Sequence, residues 1–264
     1  MNIFIRELKA NLRSLLIWGF IVALFVTIGF SKFSAYEGNP ELLVILDQMP
    51  PVLLDAFNMA AFNLTTLSGF YGVMFTYFAL ILSIAATMWG SDTISKEERD
   101  KTVEFSLTLP VTRSRVVTAK ALAALVNCIL LLLITCVAAL IASAQYQPDN
   151  EFFKFLSLCM LAIFIMQLIF LAIGIFLGCA MKRYKLASSV AVSLLLGTYF
   201  LSIISGLNEN LEFLKYFSPF KYFDAGMLLH ESRLDMTFVL LSVAIVLVSM
   251  AGAYLTYARR DLYI

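Results

Sequence analysis

The stretch "SDTISKEERDKTVEFSLTLPVTRSRVVTAK", Ser91 to Lys120, gathers eleven of the chain's Asp, Glu, Lys and Arg residues into thirty positions. The chemistry open to it is ion pairing, hydrogen bonding and docking. Lys96 and Asp100 stand four residues apart, as do Glu97 and Lys101, the spacing that pairs opposite charges on an exposed helix. Val103 with Leu107, and Phe105 with Leu109, add an apolar strip. Pro110 ends the helix expected over 94–106, and Thr112 can cap a second helix running through Lys120. No catalytic residue is assigned, because no Ser–His pair or carboxylate pair lies in the apolar segments. The single His230 has no His or Cys at ligand spacing, so no metal site is read. The chain has no Gly-Lys dipeptide and therefore no phosphate-cradling G-x-x-x-x-G-K-[ST] loop.

The elements that must hold this island are apolar. The chain is 61% hydrophobic and 14% charged, well below the roughly 25% charge of soluble domains. Six runs carry no Asp, Glu, Lys, Arg or His: Ser14–Ser31, Ala56–Ser91, Ala121–Pro148, Phe155–Met181, Leu186–Asn208 and Met236–Ala258. Each is near or above the ~20 residues a helix needs to cross the hydrocarbon core. A barrel would show alternating segments of about ten residues instead. The reading is an all-α integral membrane protein, one domain over 1–264, with spans at about 15–33, 67–90, 120–144, 155–181, 186–206 and 237–257. A charged loop, 91–119, joins spans 2 and 3, and the longer segments 34–66 and 207–236 lie on the other side.

Lys and Arg set the orientation. Fourteen fall on the side holding both termini and the island, and five (Lys32, Lys154, Lys215, Lys221 and Arg233) on the other. Both termini are therefore expected in the cytoplasm. The first apolar run is long and lacks an A-x-A cleavage site, so it is read as a retained span. Cys128, Cys136, Cys159 and Cys179 fall inside predicted spans with no C-x-x-C, as small apolar fillers.

Residues 2–13, "NIFIRELKANLR", put Phe4, Leu8 and Leu12 on one helical stripe, with Arg6, Lys9 and Arg13 together on another. The spacing predicts an amphipathic helix over 1–14 in the membrane plane, its basic side among lipid headgroups; a frayed start to span 1 is the alternative. Segment 34–66 is broken at Pro50 and Pro51, which predicts short interfacial helices before span 2. Before span 6, aromatic residues surround Pro219, from Phe213 to Phe223. They fit either an interfacial aromatic belt or a half-inserted pair of short helices. Gly174-x-x-x-Gly178 permits close helix contact, and Asn63-Leu64-Thr65 matches the glycosylation triplet by chance.

Absence of an ionisable group at membrane depth argues against a proton- or sodium-coupled carrier. Energy for uphill movement would have to come from another subunit, and the island is where that subunit would push. Here a resemblance becomes specific. "ISKEERDKTVEFSLTLPVTRSRVVTAK" resembles the loop between the second and third spans of type-2 ABC exporter permeases. The matching residues are Glu97, Glu98, Lys101, Thr102, Glu104, Leu107, Leu109, Pro110, Val111, Thr112, Arg113 and Lys120, with Lys101 where many members have Gly. "FIRELKANLRSLLIWGF" is similar to the in-plane helix and first span of that family, and "SPFKYF" to the stretch before its last span.

The resemblance implies a permease subunit without its own ATPase, two permease halves (alike or different) working with two ABC ATPase subunits. ATP and Mg would be held by the partner, with no cofactor in this chain, and the setting would be the bacterial plasma membrane. No nucleic acid is expected as a partner. Glu97, Glu98, Thr102, Glu104, Phe105, Leu109, Pro110 and Arg113 would couple to the ATPase, and Phe4, Arg6, Leu8, Lys9 and Arg13 would meet membrane lipid. Tyr71, Phe75 and Phe78 in span 2, and Tyr199 and Phe200 in span 5, could line a pathway for a hydrophobic or amphipathic substrate, or be ordinary filler. The competing readings are a stand-alone secondary transporter or channel-like protein, and an assembly subunit that docks an ATPase without carrying substrate.

Overall fold

The computed structural model describes residues 3–39, 48–50, 54, 62–99, 111–181, 183–207 and 209–259. Five long helices come first: α1 (Ile3–Phe33), α2 (Leu67–Arg99), α3 (Arg113–Ser143), α4 (Asn150–Ala180) and α5 (Tyr184–Leu207). A 3-10 segment (Glu209–Phe217) leads to α6 (Pro219–Tyr222) and α7 (Ala225–Glu231), and α8 (Met236–Arg259) closes the bundle. Among the described residues the protein is all-helical, and α1 to α5 and α8 are the six helices long and apolar enough to cross a membrane. The helices outrun the uncharged runs, since flanking Lys, Glu and Arg are good helix formers and continue each turn into the polar zone. At 31 to 33 residues, α1 to α4 are about 46–50 Å long against ~30 Å of hydrocarbon.

Local chemistry sets the ends. Thr112 caps α3, its hydroxyl accepting from Arg115 N, and Asp149 caps α4 by accepting from Phe152 N at 2.7 Å. At the head of α2, the Asn63 side-chain carbonyl accepts from the backbone N and hydroxyl of Thr65. The Asn63-Leu64-Thr65 triplet is thus an Asx turn that starts a helix. The in-plane segment expected over 1–14 is not set apart from span 1. α1 runs unbroken from Ile3, because no Pro or Gly interrupts it before Gly19. The interfacial helices expected before span 2 fall largely outside the described residues.

Helices α2 and α4 form the buried centre, running in the same direction and meeting backbone to backbone. A Cβ on Gly174 would sit 2.6 Å from the Thr87 carbonyl oxygen, and one on Gly178 2.6 Å from that of Ser91. The Gly174/Gly178 pair therefore serves contact within one chain. The hydroxyls of Thr87, Thr93 and Ser95 on α2 donate to carbonyls four residues back, at 2.7, 2.6 and 2.6 Å, so they enter the apolar interior already satisfied.

The segment after α5 dips back alongside it. Ser218 Oγ donates to the Thr198 carbonyl at 2.7 Å, nine residues or about 13 Å inside the end of α5. Pro219 starts α6 at its first position, where its missing N–H has no cost. The aromatics divide accordingly. Phe213, Tyr216 and Phe217 are exposed, whereas Phe220 packs on Phe170 and Tyr199, and Tyr222 stacks on Phe238. The aromatics up to Phe217 thus face outward, and those from Phe220 on pack against the bundle.

Candidate functional site

Four helix ends meet where α2 enters the charged loop, and polar side chains join them. Glu97, 6% exposed, accepts from Arg6 of α1 at 3.1 Å and pairs with Lys120 of α3 at 2.8 Å. Lys120 is fully buried and also donates to the Thr93 carbonyl at 2.8 Å. Lys96 pairs with Glu7 and donates to Asn11 Oδ1 at 3.2 Å, both on α1. Trp89 Nε1 donates to Ser14 Oγ at 2.9 Å. On another side of α2, Ser188 of α5 donates to Asp92 Oδ1 at 3.2 Å, and the hydroxyls of Ser91 and Ser188 lie 2.9 Å apart.

This geometry has a physical reason. An isolated Lys at the position of Lys120 would have to shed its water with nothing in return. With a carboxylate and a helix carbonyl of α2 around it, the charge is held, at the cost of fixing α3 against α2. The inward stripe of α1 is Phe4, Glu7, Leu8, Asn11 and Leu15, so it carries a carboxylate and an amide as well as apolar groups. Leu12, expected on the apolar stripe, is 51% exposed, while Lys9 and Arg13 point outward. Arg6, expected among headgroups, reaches across to Glu97.

At the far side of the loop, Arg113 in the first turn of α3 donates to the carbonyls of Tyr257 and Ala258, at 3.2 and 3.3 Å. Those carbonyls belong to the last turn of α8, where a cation offsets the helix dipole. Thr118 and Tyr254 share a hydrogen bond of 2.7 Å one turn deeper. Entry to the loop is thus tied to α1, α3 and α5, and its exit to α8. The first turns of α1 and the last turn of α8 therefore lie on the same face of the bundle as the end of α2 and the start of α3.

Of the residues the sequence assigned to ATPase coupling, Glu97 and Arg113 are described with their contacts, and both are engaged within the chain. Glu98 lies in the last turn of α2 with its side chain outside the described residues. Thr102, Glu104, Phe105, Leu109 and Pro110 also lie outside them. Tyr71, Phe75 and Phe78 are buried, the Tyr71 ring lying 5.7 to 6.1 Å from Phe30, Phe78, Phe152 and Phe155. Their neighbour Tyr77 instead lines a groove of about 360 Å³ between α1 and α2, with Phe25, Met74 and Lys32. Tyr199 and Phe200 sit apart on α5, Phe200 on its exposed face.

Sequence reasoning treated Lys120 as the end of a motif and missed Glu7, Asn11 and Lys96 as its neighbours. The available signal was a Lys with no charged residue for 28 positions after it, on a helix whose other face is apolar. Among the described residues no group of three His, Cys, Asp or Glu could hold a metal ion.

A search of curated proteins finds no match to this chain. A family profile described as "ABC-2 family transporter protein" matches residues 1–262. With six apolar spans and a match over almost its whole length, the chain belongs to the ABC-2 transporter family and is a membrane-spanning permease component of an ABC transporter.

Proposed function

We propose that this chain is the permease half of an exporter whose ATPase is a separate subunit, and that it turns ATPase closure into movement of its spans through the polar hub around Glu97. Two permease halves and two ATPase subunits make up the working complex, with ATP and Mg on the ATPases. The observation that carries the reading is that both ends of the 100–110 loop are anchored, one to α1, α3 and α5 and the other to α8. A push on a tethered loop reaches five helices at once, whereas a push on a free loop is absorbed by it.

Within this scheme the coupling residues have two tasks. Phe105 and Leu109 fill an apolar groove on the ATPase, with Glu98, Thr102 and Glu104 at its rim, and Pro110 stops the loop helix so that the push enters α3. Glu97 and Arg113 act inside the permease by holding the loop ends to the bundle. Buried aromatic anchors at interfaces are worth ~2 kcal/mol or more, and rim charges less. The cargo that suits apolar spans is hydrophobic or amphipathic, moving outward from a cytoplasm that holds both termini. Tyr77, beside the groove between α1 and α2, is then a better pathway residue than the buried Tyr71.

The test is uptake into inside-out vesicles carrying the permease with its ATPase. Uptake should need ATP, survive a protonophore, and fall with Phe105→Ala while permease expression stays unchanged. Uptake that collapses with the proton gradient at constant ATP would favour a secondary carrier. ATPase co-purification without any transport would favour an assembly subunit. Normal assembly and transport by Phe105→Ala, Glu98→Gln and Pro110→Ala variants would make the loop a solvated connection.

A further inference from the structure

A second groove, of about 210 Å³, opens on the side of the bundle between α3, α4 and α8. Its walls are Ala121 and Leu125 from α3, Leu171 and Ile175 from α4, and Val246 and Met250 from α8. They are apolar throughout, and the groove runs for about 10–12 Å along the helices, from Thr118 and Tyr254 to Leu125 and Val246. Leu122 at its lip is 48% exposed, so the groove faces outward from this chain. Its one polar end is the Thr118–Tyr254 hydroxyl pair.

Beyond that pair the charge is all positive among the described residues. Arg113 is held over the end of α8, Arg115 is exposed one turn above Thr118 on the same stripe, and Arg259 is exposed in the last turn of α8. Neither Arg115 nor Arg259 makes an ion pair among the described residues. An apolar slot of about 210 Å³ thus ends at two hydroxyls and then at Arg115, with Arg113 over the end of α8, whereas Arg259 lies on the face of α8 opposite Val246, Met250 and Tyr254. Arginine holds phosphate by paired N–H donors. A second protein chain would need apolar or acidic groups at that end, and a neutral lipid would gain nothing from the arginines.

We infer that this groove binds one anionic phospholipid, with an acyl chain between α3 and α8 and its phosphate against Arg115 beside the Thr118 and Tyr254 hydroxyls. A lipid so placed bridges the exit of the charged loop and the last span. It packs against the same helix end that Arg113 holds.

Native mass spectrometry of the detergent-purified chain, offered phosphatidylglycerol and phosphatidylcholine with identical acyl chains, tests the inference. One phosphatidylglycerol should be retained per chain, preferred by about fivefold, as expected for one arginine near a lipid phosphate. Arg115→Gln should remove the preference without removing lipid binding, whereas Arg259→Gln, on the opposite face of α8, should leave it unchanged. Ala121→Phe should fill the groove and abolish retention of the bound lipid, and Leu125→Phe gives an independent route to the same block. Equal retention of both lipids by the wild type, or a preference unchanged in all these variants, would overturn the assignment. So would efficient cross-linking between copies through Leu122→Cys, which would mean that a second copy covers the groove. The readout is lipid mass per chain and does not depend on transport or on an ATPase.

Discussion

Replacing Lys120 by Met removes the ammonium from the centre of the hub and keeps most of the side chain's volume. Glu97 would keep Arg6, at 3.1 Å and on a partly exposed side chain, but lose the closer, fully buried cation at 2.8 Å. The Thr93 carbonyl would lose its side-chain donor. Breaking one partner of a buried ion pair costs ~3–5 kcal/mol, and with Arg6 left in place we expect the lower end, about 3 kcal/mol. Glu97→Gln should cost more, because it strands a buried ammonium and a guanidinium together. The double variant Glu97→Gln/Lys120→Met strands no deeply buried charge, so its loss should fall short of the summed singles by ~2 kcal/mol or more. The assay is unfolding in mixed micelles by SDS titration, followed by tryptophan fluorescence. Trp89 reports directly on the α1–α2 contact through its hydrogen bond to Ser14. Additive losses in the double variant, or a Lys120→Met midpoint equal to the wild type, would refute the reasoning.

Gly174→Ala should destabilise by about 1–3 kcal/mol in the same titration, since its Cβ would sit 2.6 Å from the Thr87 carbonyl oxygen and force α2 and α4 apart. Gly197→Ala, with no atom within 4 Å of the added Cβ, should be neutral or slightly stabilising and serves as its control. Ser218→Ala should cost ~1 kcal/mol by removing the bond to the Thr198 carbonyl, and should speed protease cleavage within 209–231 in purified protein. Cysteines placed at the exposed Ser114 and Ser232 should differ in intact cells. Only position 232 should react with an impermeant thiol reagent if both termini are cytoplasmic, and labelling of 114 alone would reverse the topology.

The spans were legible because uncharged runs of 18 to 36 residues have one stable form in lipid. Caps were legible where a single residue makes them, as Thr112 does for α3. Partner choice was not legible. Glu97 and Lys120 are 23 positions apart and Arg6 and Glu97 are 91 apart, and charge sign alone does not say which of several Lys or Arg residues a Glu will meet. A Glu in a run of charged residues reads as solvated, yet Glu97 turns inward because α2 reaches past the apolar zone and rotates it toward α3. The aromatics of α2 were ambiguous for a similar reason: Tyr71 and Tyr77 share a helix and a composition, and only the position of α1 decides which is buried and which lines a groove.

The pairing of α2 with α4 also sets an order of events at the ribosome. Two-thirds of the most apolar part of α2 is buried in the finished bundle, but its main partner lies beyond α3 in the chain. Synthesis at ~5–20 residues per second leaves the Ser- and Gly-bearing face of α2 without α4 for roughly 4–16 s after Arg99 has been made. Only α1 and α3 are at hand during that interval. The Glu97–Lys120 pair can close as soon as α3 has entered, which neutralises the deepest charges and holds α2 at fixed depth while its glycine face waits. The same ion pair that ties the helices together would then act earlier as a placeholder, and a chain lacking Lys120 would be most exposed to quality control before α4 arrives.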